Sequence, residues 1–244
     1  MNLIVDIGNS FAKVAFFENG EMLKWERMDI EHVEHFLRND SFVGRCVRCI
    51  VSATVDLPHN FGETLKNLGM RVMFLGASSS LPFVNDYRTP QSLGTDRMAA
   101  VAGALKMLPG ENVLVIDVGS CVTYDVLTAD GHYLGGNIAP GLLMRFCSMH
   151  EHTARLPLVS ADGERLSLGR DTETALRAGA LKGIEYEIEG YVKDLHNRFG
   201  QVKVVLTGGD SDHFKDVLAK VAVYDAHLVL RGLDFILQYN EKDI

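Results

Sequence analysis

Short apolar segments alternate with helically spaced apolar residues along the whole chain. Strand-like runs are predicted at 3–7, 11–17, 47–55, 71–75, 113–118, 121–127 and 202–206. Helical spacing occurs at 30–38, 61–68, 95–108, 172–199 and 228–239, with a further helix ending near residue 220. Strands that alternate with helices indicate a layered α/β architecture.

One pattern occurs twice. Asp6-Ile7-Gly8 and Asp117-Val118-Gly119 each follow an apolar strand, and each precedes a polar turn and a second strand-like run. The two aspartates lie 111 positions apart in a chain of 244 residues. A repeat of half the chain predicts two domains of similar fold, 1–110 and 111–244, rather than a solenoid of short units.

The predicted helix 172–199 has a long apolar stripe with Gly179 and Gly183 beside it. Such a stripe packs either inside its own domain or against a second subunit, and helix statistics favour the first. The stripe consists of Leu176, Ala180, Ile184, Ile188, Val192 and Leu195.

Composition and charge exclude several classes of protein. Hydrophobic residues make up 47% and charged residues 23%, as in ordinary globular proteins, and no apolar run is long enough for a membrane helix. The net charge of −8 and the lack of a basic stripe disfavour nucleic acid as a partner. The N-terminal residues lack a basic signal-peptide region, so we expect a cytoplasmic protein.

The cysteines and histidines do not form a typical metal motif. Cys46 and Cys49 have no second cysteine pair to complete a zinc ribbon, so we expect buried, reduced thiols there. Cys121 and Cys147 are likewise interpreted as reduced thiols. The histidine pairs 32/35 and 150/152 lack zinc-enzyme spacing and are interpreted as surface or capping residues.

Neither a P-loop nor a dinucleotide fingerprint occurs in the sequence. The two Asp-x-Gly turns are instead the candidate phosphate-binding segments. Glycine at 8 and 119 allows close approach of a phosphate, and the side chains of Asn9, Ser10 and Ser120 are hydrogen-bond donors. Asp6 and Asp117 would repel phosphate unless a cation lies between them. Either turn alone is equally well explained as a plain β-hairpin.

The paired turns resemble those of the actin/Hsp70/sugar-kinase superfamily. The resemblance implies two ribonuclease-H-like domains in tandem, each a mixed sheet flanked by helices, with the site in the cleft between them. Thr207-Gly208-Gly209-Asp210 resembles the adenosine turn of that superfamily. Alternatively, it is a strand-to-helix turn in which glycine relieves crowding.

A closer resemblance, over roughly residues 1–210, is to the type III pantothenate kinase family. It implies a homodimeric kinase that moves the ATP γ-phosphate to the hydroxyl of pantothenate and needs Mg²⁺ and a monovalent cation, K⁺ or NH₄⁺. The segments that carry it, in order, are 6–10 with Lys13, Tyr87, 93–97, 117–120, 135–141 and 169–172.

The resemblance also implies residue roles. The ATP-binding residues are Asp6, Ile7, Gly8, Asn9, Ser10, Phe11, Ala12, Lys13 and Ser120, with Asp6 near Mg²⁺ and Asp117 on the monovalent cation. The pantothenate-binding residues are Tyr87, Gly94, Thr95, Asp96 and Arg97, with Asp96 as the proton acceptor, and Thr172 from the neighbouring subunit. It further favours a subunit contact for the stripe of helix 172–199. Cys121 departs from the small residue usual there, which affects packing rather than chemistry.

Each role has a structural alternative. Asp96 alone fits a helix cap, Arg97 a surface ion pair and Tyr87 a half-buried aromatic. Two other functions also remain open: a non-catalytic relative that acts as a transcriptional accessory factor, and an actin- or Hsp70-like ATPase. Intact Asp96 and both Asp-x-Gly turns favour the kinase over the first, and the short chain favours it over the second.

Overall fold

The structure, a computed structural model, describes residues 1–58 and 61–241. It contains two compact units. The first comprises residues 1–109, 131–134 and 227–244, and the second comprises residues 110–130 and 135–226. These units are defined by which residues pack together. The domain boundary expected between residues 110 and 111 stays a prediction.

The strands and helices follow the alternation expected from the sequence. The strands are β1 (Asn2–Ile7), β2 (Ala12–Glu18), β3 (Glu21–Met28), β4 (Arg48–Ala53), β5 (Arg71–Phe74), β6 (Val84–Asn85), β7 (Val113–Val118), β8 (Cys121–Leu127), β9 (His132–Pro140), β10 (Lys203–Thr207) and β11 (Ala222–Tyr224). The α-helices are α1 (Val33–Asn39), α2 (Phe61–Asn67), α3 (Thr95–Met107), α4 (Leu142–Glu151), α5 (Thr172–Phe199), α6 (Lys215–Leu218) and α7 (Leu228–Tyr239).

Two mixed sheets carry these elements, and the predicted α/β fold is confirmed. The first sheet has the order β3-β2-β1-β4-β5, and the second has the order β11-β10-β7-β8-β9-β6. In the first, β1 pairs antiparallel with β2 and parallel with β4. In the second, β7 pairs antiparallel with β8 and parallel with β10. The repeated Asp-x-Gly pattern therefore corresponds to a repeated three-strand arrangement.

Helices α3 and α7 pack backbone to backbone in the first unit. A Cβ on Gly103 would lie 2.5 Å from the carbonyl oxygen of Leu228, and a Cβ on Gly232 would overlap the carbonyl group of Ala99. Only glycine fits at these two positions, because any side chain would force the helices apart. This packing fixes α3, which carries the predicted residues 95–97.

The apolar stripe of α5 packs inside the second unit. Leu176, Ala180, Ile184 and Ile188 are at most 8% exposed and belong to the core formed with β7, β8 and β10. Packing within the unit therefore accounts for these four residues, and a subunit contact for the stripe stays a prediction.

The structure also bears on two further predictions, which concern the cysteines and a membrane-spanning helix. All four cysteines are free thiols, and burial raises the pKa of Cys46 to about 11 and that of Cys49 further. Among the described helices, none has an apolar stretch of the length that would cross a lipid bilayer.

Candidate active site

The first Asp-x-Gly turn connects β1 to β2. Asp6 is the next-to-last residue of β1, and its antiparallel partner on β2 is Lys13. Gly8 closes the turn by donating its backbone N–H to the carbonyl oxygen of Phe11 at 3.0 Å. Asn9 and Ser10 are exposed at the tip. The turn thus presents free polar groups beside a carboxylate and an ammonium.

Asp6 is held from the other side by Ser52 of β4. The two residues are register partners in the parallel pair, and Ser52 Oγ lies 3.1 Å from Asp6 Oδ1. Ser52 Oγ also lies 3.0 Å from Thr95 Oγ1 at the start of α3. Burial raises the pKa of Asp6 to about 6, and Lys13 and the Ser52 hydrogen bond oppose that rise while the negative charge of Asp96 adds to it. Asp6 and Asp96 therefore act on one another electrostatically.

Asp96 lies in the first turn of α3. The N-cap of this helix is Gly94, which provides no side chain, and Asp96 Oδ1 accepts the backbone N–H of Arg97 at 2.8 Å. A Cβ on Gly94 would overlap the Asp96 carboxylate. Glycine at 94 thus leaves room for a carboxylate at the beginning of the helix, where the helix dipole favours negative charge.

Arg97 and Tyr87 lie side by side in the same unit. The Arg97 guanidinium carbon is 5.6 Å from the centre of the Tyr87 ring, which stacks at 6.1 Å on Tyr133. Arg97 is only 6% exposed, so it is not the surface ion-pair residue of the alternative interpretation. Of the predicted pantothenate residues in this unit, Tyr87, Asp96 and Arg97 are therefore near one another, while the Thr95 hydroxyl is hydrogen-bonded to Ser52.

The second Asp-x-Gly turn joins β7 to β8 with only two residues between the strands. Gly119 donates its N–H to the carbonyl oxygen of Cys121 at 2.9 Å, and Ser120 is exposed at the tip. The antiparallel partner of Asp117 is Thr123, a neutral residue where the first turn has Lys13. Neighbouring Cys121 is half-buried at the start of β8.

The predicted adenosine turn packs directly on the second Asp-x-Gly turn. Gly208 has φ of +102°, and a Cβ there would overlap both the carboxylate of Asp117 and the carbonyl oxygen of Val118. Asp210 donates its N–H to the carbonyl oxygen of Val118 at 2.9 Å. The glycine is therefore required by conformation and by space, and it leaves room for the Asp117 carboxylate and the Val118 carbonyl oxygen.

An open pocket of about 470 Å³ adjoins this turn within the second unit. Its walls are mostly apolar, and Asp210 and His213 supply polar groups at its edge. The lining residues are Leu142, Leu143, Phe146, Leu158, Val159, Ser160, Ala161, Asp210 and His213. A largely apolar pocket with a few polar groups is typical of a small-molecule site.

Thr172 is the exposed first residue of α5. A capping box fixes this end of the helix: Asp171 Oδ1 accepts the N–H of Thr174 at 2.8 Å, and Thr174 Oγ1 accepts the N–H of Asp171 at 3.1 Å. The hydrogen bond from Thr174 lowers the pKa of Asp171. Thr172 is thus placed rigidly with its side chain at the surface.

The oxygen donors suit a hard cation bound together with phosphate. No group of three or more His, Cys, Asp or Glu side chains within residues 1–58 and 61–241 is arranged to hold a metal ion. Mg²⁺ needs no such cage, because it usually binds through one or two carboxylates and the phosphates of a substrate. Asp6, half-buried and beside the first turn, fits that requirement.

Solved structures share the fold of this chain. The fold matches a protein from Campylobacter jejuni named as a Baf family transcriptional activator (TM-score 0.67, 24% identity, 98% of this chain and 99% of that one). It also matches a protein from Sinorhizobium meliloti named as a 2-dehydro-3-deoxygalactonokinase (TM-score 0.58, 15% identity, 98% and 99%). At these identities the likeness shows the fold alone, a fold of two mixed sheets flanked by helices.

Sequence comparison places the chain in a family. A sequence model of the type III pantothenate kinase family matches residues 2–194. The chain is 44% identical over 249 residues to the type III pantothenate kinase of Bacteroides fragilis strain YCH46, with 100% of both chains covered. It is 43% identical to that of Phocaeicola vulgatus, with 99% and 100% covered. The chain therefore belongs to the type III pantothenate kinase family.

Comparison with the sequence predictions reveals one functional candidate that was not anticipated. Ser52 belongs to no sequence motif, and its position beside Asp6 follows from the register of β1 and β4. Proximity of the predicted adenosine turn to Asp117 was likewise visible only in the structure.

Proposed function

We propose that this protein is an ATP-dependent kinase that phosphorylates the hydroxyl of pantothenate, giving 4′-phosphopantothenate in the first step of coenzyme A biosynthesis. Membership of the family over nearly the whole chain supports the substrate. The observation that carries the mechanism is Asp96, a carboxylate that Gly94 accommodates at the start of α3, with Arg97 and Tyr87 close by.

Asp96 is the proposed proton acceptor. The pantothenate hydroxyl oxygen forms a bond to the γ-phosphorus while the bond from that phosphorus to the β–γ bridging oxygen breaks, and ADP leaves with the electron pair. Asp96 takes the hydroxyl proton. Arg97 suits the carboxylate of pantothenate, because a guanidinium binds carboxylates strongly in a buried site. Tyr87, Gly94 and Thr95 complete the proposed substrate pocket.

The proposed ATP phosphate contacts are residues 6–13 and Ser120. Backbone N–H groups and the side chains of Asn9, Ser10 and Ser120 can donate to phosphate oxygens, and Lys13 adds a positive charge. Mg²⁺, when bound, neutralises phosphate charge, and Asp6 is the residue we propose to hold it.

Asp117 is the proposed ligand of a monovalent cation, K⁺ or NH₄⁺. Support comes from the Asp117 carboxylate and the Val118 carbonyl oxygen, which both border Gly208, since such cations prefer oxygen ligands. We further propose that the adenosine part of ATP occupies the pocket beside Asp210 and His213, because that pocket adjoins the glycine turn.

The proposed enzyme is a homodimer that acts in the cytoplasm. Exposure of Thr172 at a rigid helix start is compatible with a contact to the pantothenate pocket of a neighbouring subunit. The four free thiols are consistent with a reducing compartment. Neither a non-catalytic transcriptional role nor an actin- or Hsp70-like ATPase is favoured by the family membership.

The test is transfer of labelled phosphate from ATP to pantothenate by the wild type and by Asp96→Asn. Asn keeps the hydrogen bond to the Arg97 N–H but takes no proton, so we expect kcat to fall about 10²–10⁴-fold, or roughly 3–5 kcal/mol of barrier. The affinity for pantothenate should change little.

A helix cap alone would give a different result, because Asp and Asn are nearly equal near helix N-termini. A kcat within a few-fold of wild type, in a folded variant that binds ATP, would remove Asp96 from the mechanism. Hydrolysis of ATP without transfer to pantothenate would instead favour an ATPase.

A further inference from the structure

Ser52 is a buried hydroxyl between two candidate catalytic segments. It is fully buried on β4, and its Oγ lies 3.1 Å from Asp6 Oδ1 and 3.0 Å from Thr95 Oγ1. Thr95 immediately precedes Asp96 in α3. Ser52 thus links the proposed metal carboxylate to the helix start that carries the proposed base.

The direction of these hydrogen bonds follows from counting hydrogens. Ser52 has one hydroxyl hydrogen, and an ionised Asp6 can only accept, so Ser52 donates to Asp6. Thr95 then donates to Ser52 at 3.0 Å, a shorter distance than the 3.4 Å to its other acceptor, the carbonyl oxygen of Ala53. The result is a directed chain from Thr95 through Ser52 to Asp6.

The same placement recurs in the second unit, which is an independent observation. Thr207 of β10 is the parallel register partner of Asp117, as Ser52 of β4 is of Asp6, and Thr207 is 1% exposed. Burying a hydroxyl costs free energy unless it forms hydrogen bonds, and an apolar residue of similar size would fill either position. A hydroxyl residue therefore holds the same register position beside each aspartate, and at Ser52 the hydroxyl is hydrogen-bonded to the carboxylate.

We propose that Ser52 is a positioning residue that fixes the Asp6 carboxylate through Oδ1 and so prepares its other oxygen for the divalent cation that accompanies ATP. Hydrogen bonds to metal-binding carboxylates orient them, and losing one typically costs 10–100-fold in metal affinity or activity. Thr95 supports Ser52 and ties the orientation of Asp6 to the first turn of α3. This inference rests on the proposed function, in which Asp6 holds Mg²⁺.

The test measures metal binding directly. Mn²⁺ is titrated into metal-free enzyme in the presence of a non-hydrolysable ATP analogue, and the free ion is followed by electron paramagnetic resonance. Ser52→Ala should weaken Mn²⁺ binding about 10-fold and lower kcat, while KM for pantothenate stays within two-fold. Thr95→Val should weaken Mn²⁺ binding to a smaller extent, and Thr95→Ser, which keeps the hydroxyl, should bind Mn²⁺ as the wild type does.

Ile50→Val is the matched control for stability. Ile50 is fully buried two residues before Ser52, on the same face of β4, and the change removes one methylene group outside the hydrogen-bond chain. It should leave Mn²⁺ binding unchanged. Equal weakening by Ile50→Val and Ser52→Ala would assign the effect to packing and overturn the proposal.

Asp6→Asn separates this inference from the proposed function. If Asp6→Asn abolishes Mn²⁺ binding but Ser52→Ala leaves it intact, Ser52 has no positioning role while Asp6 keeps its own. If Asp6→Asn leaves Mn²⁺ binding intact, the proposed metal role of Asp6 is wrong and the inference about Ser52 falls with it.

Discussion

The two Asp-x-Gly turns share their strands but differ in what surrounds the aspartate. β1 and β7 have the same succession of buried and half-buried positions, and each aspartate is the next-to-last residue of its strand. The cross-strand neighbour is Lys13 in the first turn and Thr123 in the second. The turns also differ in length, with residues 8–11 between the strands in the first and residues 119–120 in the second.

This difference indicates how one duplicated arrangement can serve two purposes. A carboxylate beside an ammonium, with a wide polar turn, suits phosphate together with a divalent cation. The second carboxylate lies across from a neutral threonine and against Gly208, and it is the one that we propose to hold a monovalent cation. The cross-strand residue therefore sets the local charge, and four experiments on these neighbours test the comparison.

The largest effect is expected at Gly208. Gly208→Ala places a Cβ against Asp117 and Val118 at a φ of +102°, so we expect a loss of about 1–3 kcal/mol in stability from backbone strain and at least a ten-fold loss of kcat. Thermal unfolding and phosphate transfer measure both.

Gly209→Ala is the control within the same turn. No atom lies within 4 Å of a Cβ built on Gly209. We expect its stability to remain within about 0.5 kcal/mol of wild type, as for ordinary surface substitutions. Similar losses in the two variants would show that the turn tolerates no alanine at all and that contact with Asp117 is not the reason.

A smaller effect is expected when the second turn is given the charge of the first. Thr123→Lys places an ammonium across from Asp117, as Lys13 lies across from Asp6. If Asp117 holds a monovalent cation, this ammonium should replace part of its charge, and activation by K⁺ should fall several-fold. The ratio of kcat with and without K⁺ is the measurement.

Thr123→Met distinguishes charge from size. Methionine has a long side chain without a charge, so activation by K⁺ should stay close to wild type. An unchanged K⁺ ratio in a folded Thr123→Lys protein would contradict the assignment of Asp117.

Removing the charge beside Asp6 should affect ATP rather than pantothenate. Lys13→Met deletes the ammonium that opposes the rise in the pKa of Asp6. We expect KM for ATP to increase about ten-fold, the order of one charge-assisted hydrogen bond, with KM for pantothenate unchanged. Steady-state kinetics with each substrate varied in turn provide the measurement, and a selective rise in KM for pantothenate would be inconsistent with a phosphate-side role.

The last experiment leaves catalysis aside and concerns stability against pH in the metal-free protein. Because the folded pKa of Asp6 is about 6, above the ordinary 3.8, the folded state holds a proton that the unfolded state releases. Its contribution is present below about pH 4 and is lost as pH rises through 6. Relative to Asp6→Asn, the free energy of unfolding of the wild type should therefore fall by up to about 3 kcal/mol between pH 4 and pH 6, at about 1.4 kcal/mol per pH unit.

Asp171 should change stability with pH in the opposite direction to Asp6 in the same experiment. Its pKa is lowered by the Thr174 hydrogen bond, so its contribution is present at neutral pH and is lost on acidification. Chemical denaturation at several pH values compares both variants with wild type. Equal slopes for Asp6→Asn and Asp171→Asn would exclude the effect of burial on Asp6.

Local patterns were enough to predict the elements that have strong periodicity. Helix 172–199 and the strands around both aspartates could be predicted because their apolar residues repeat at helical spacing or run continuously into a glycine turn. Helix α4 could not be predicted in this way: only Leu142 and Phe146 are buried, while Leu143 and Met144 are exposed and obscure the period.

Local patterns do not predict contacts between residues that are far apart in the sequence. β9 was missed as a strand because Gly135 and Gly136 interrupt its pattern, although Gly136 is needed where a Cβ would overlap the Tyr124 carbonyl. Ser52 is 46 residues from Asp6. Only the alignment of β1 with β4 brings them together, and nothing in either segment alone sets that register.

The packing of α7 on α3 has a consequence for how the protein is made. α3 is synthesised early, but the helix that covers it follows only after residues 108–227. At roughly 10 residues per second, α3 waits about 10 s on the ribosome before its partner emerges. During that interval the second unit, nearly continuous in sequence, can fold first. The helix that carries the proposed base in its first turn thus becomes fully packed only when translation is almost finished.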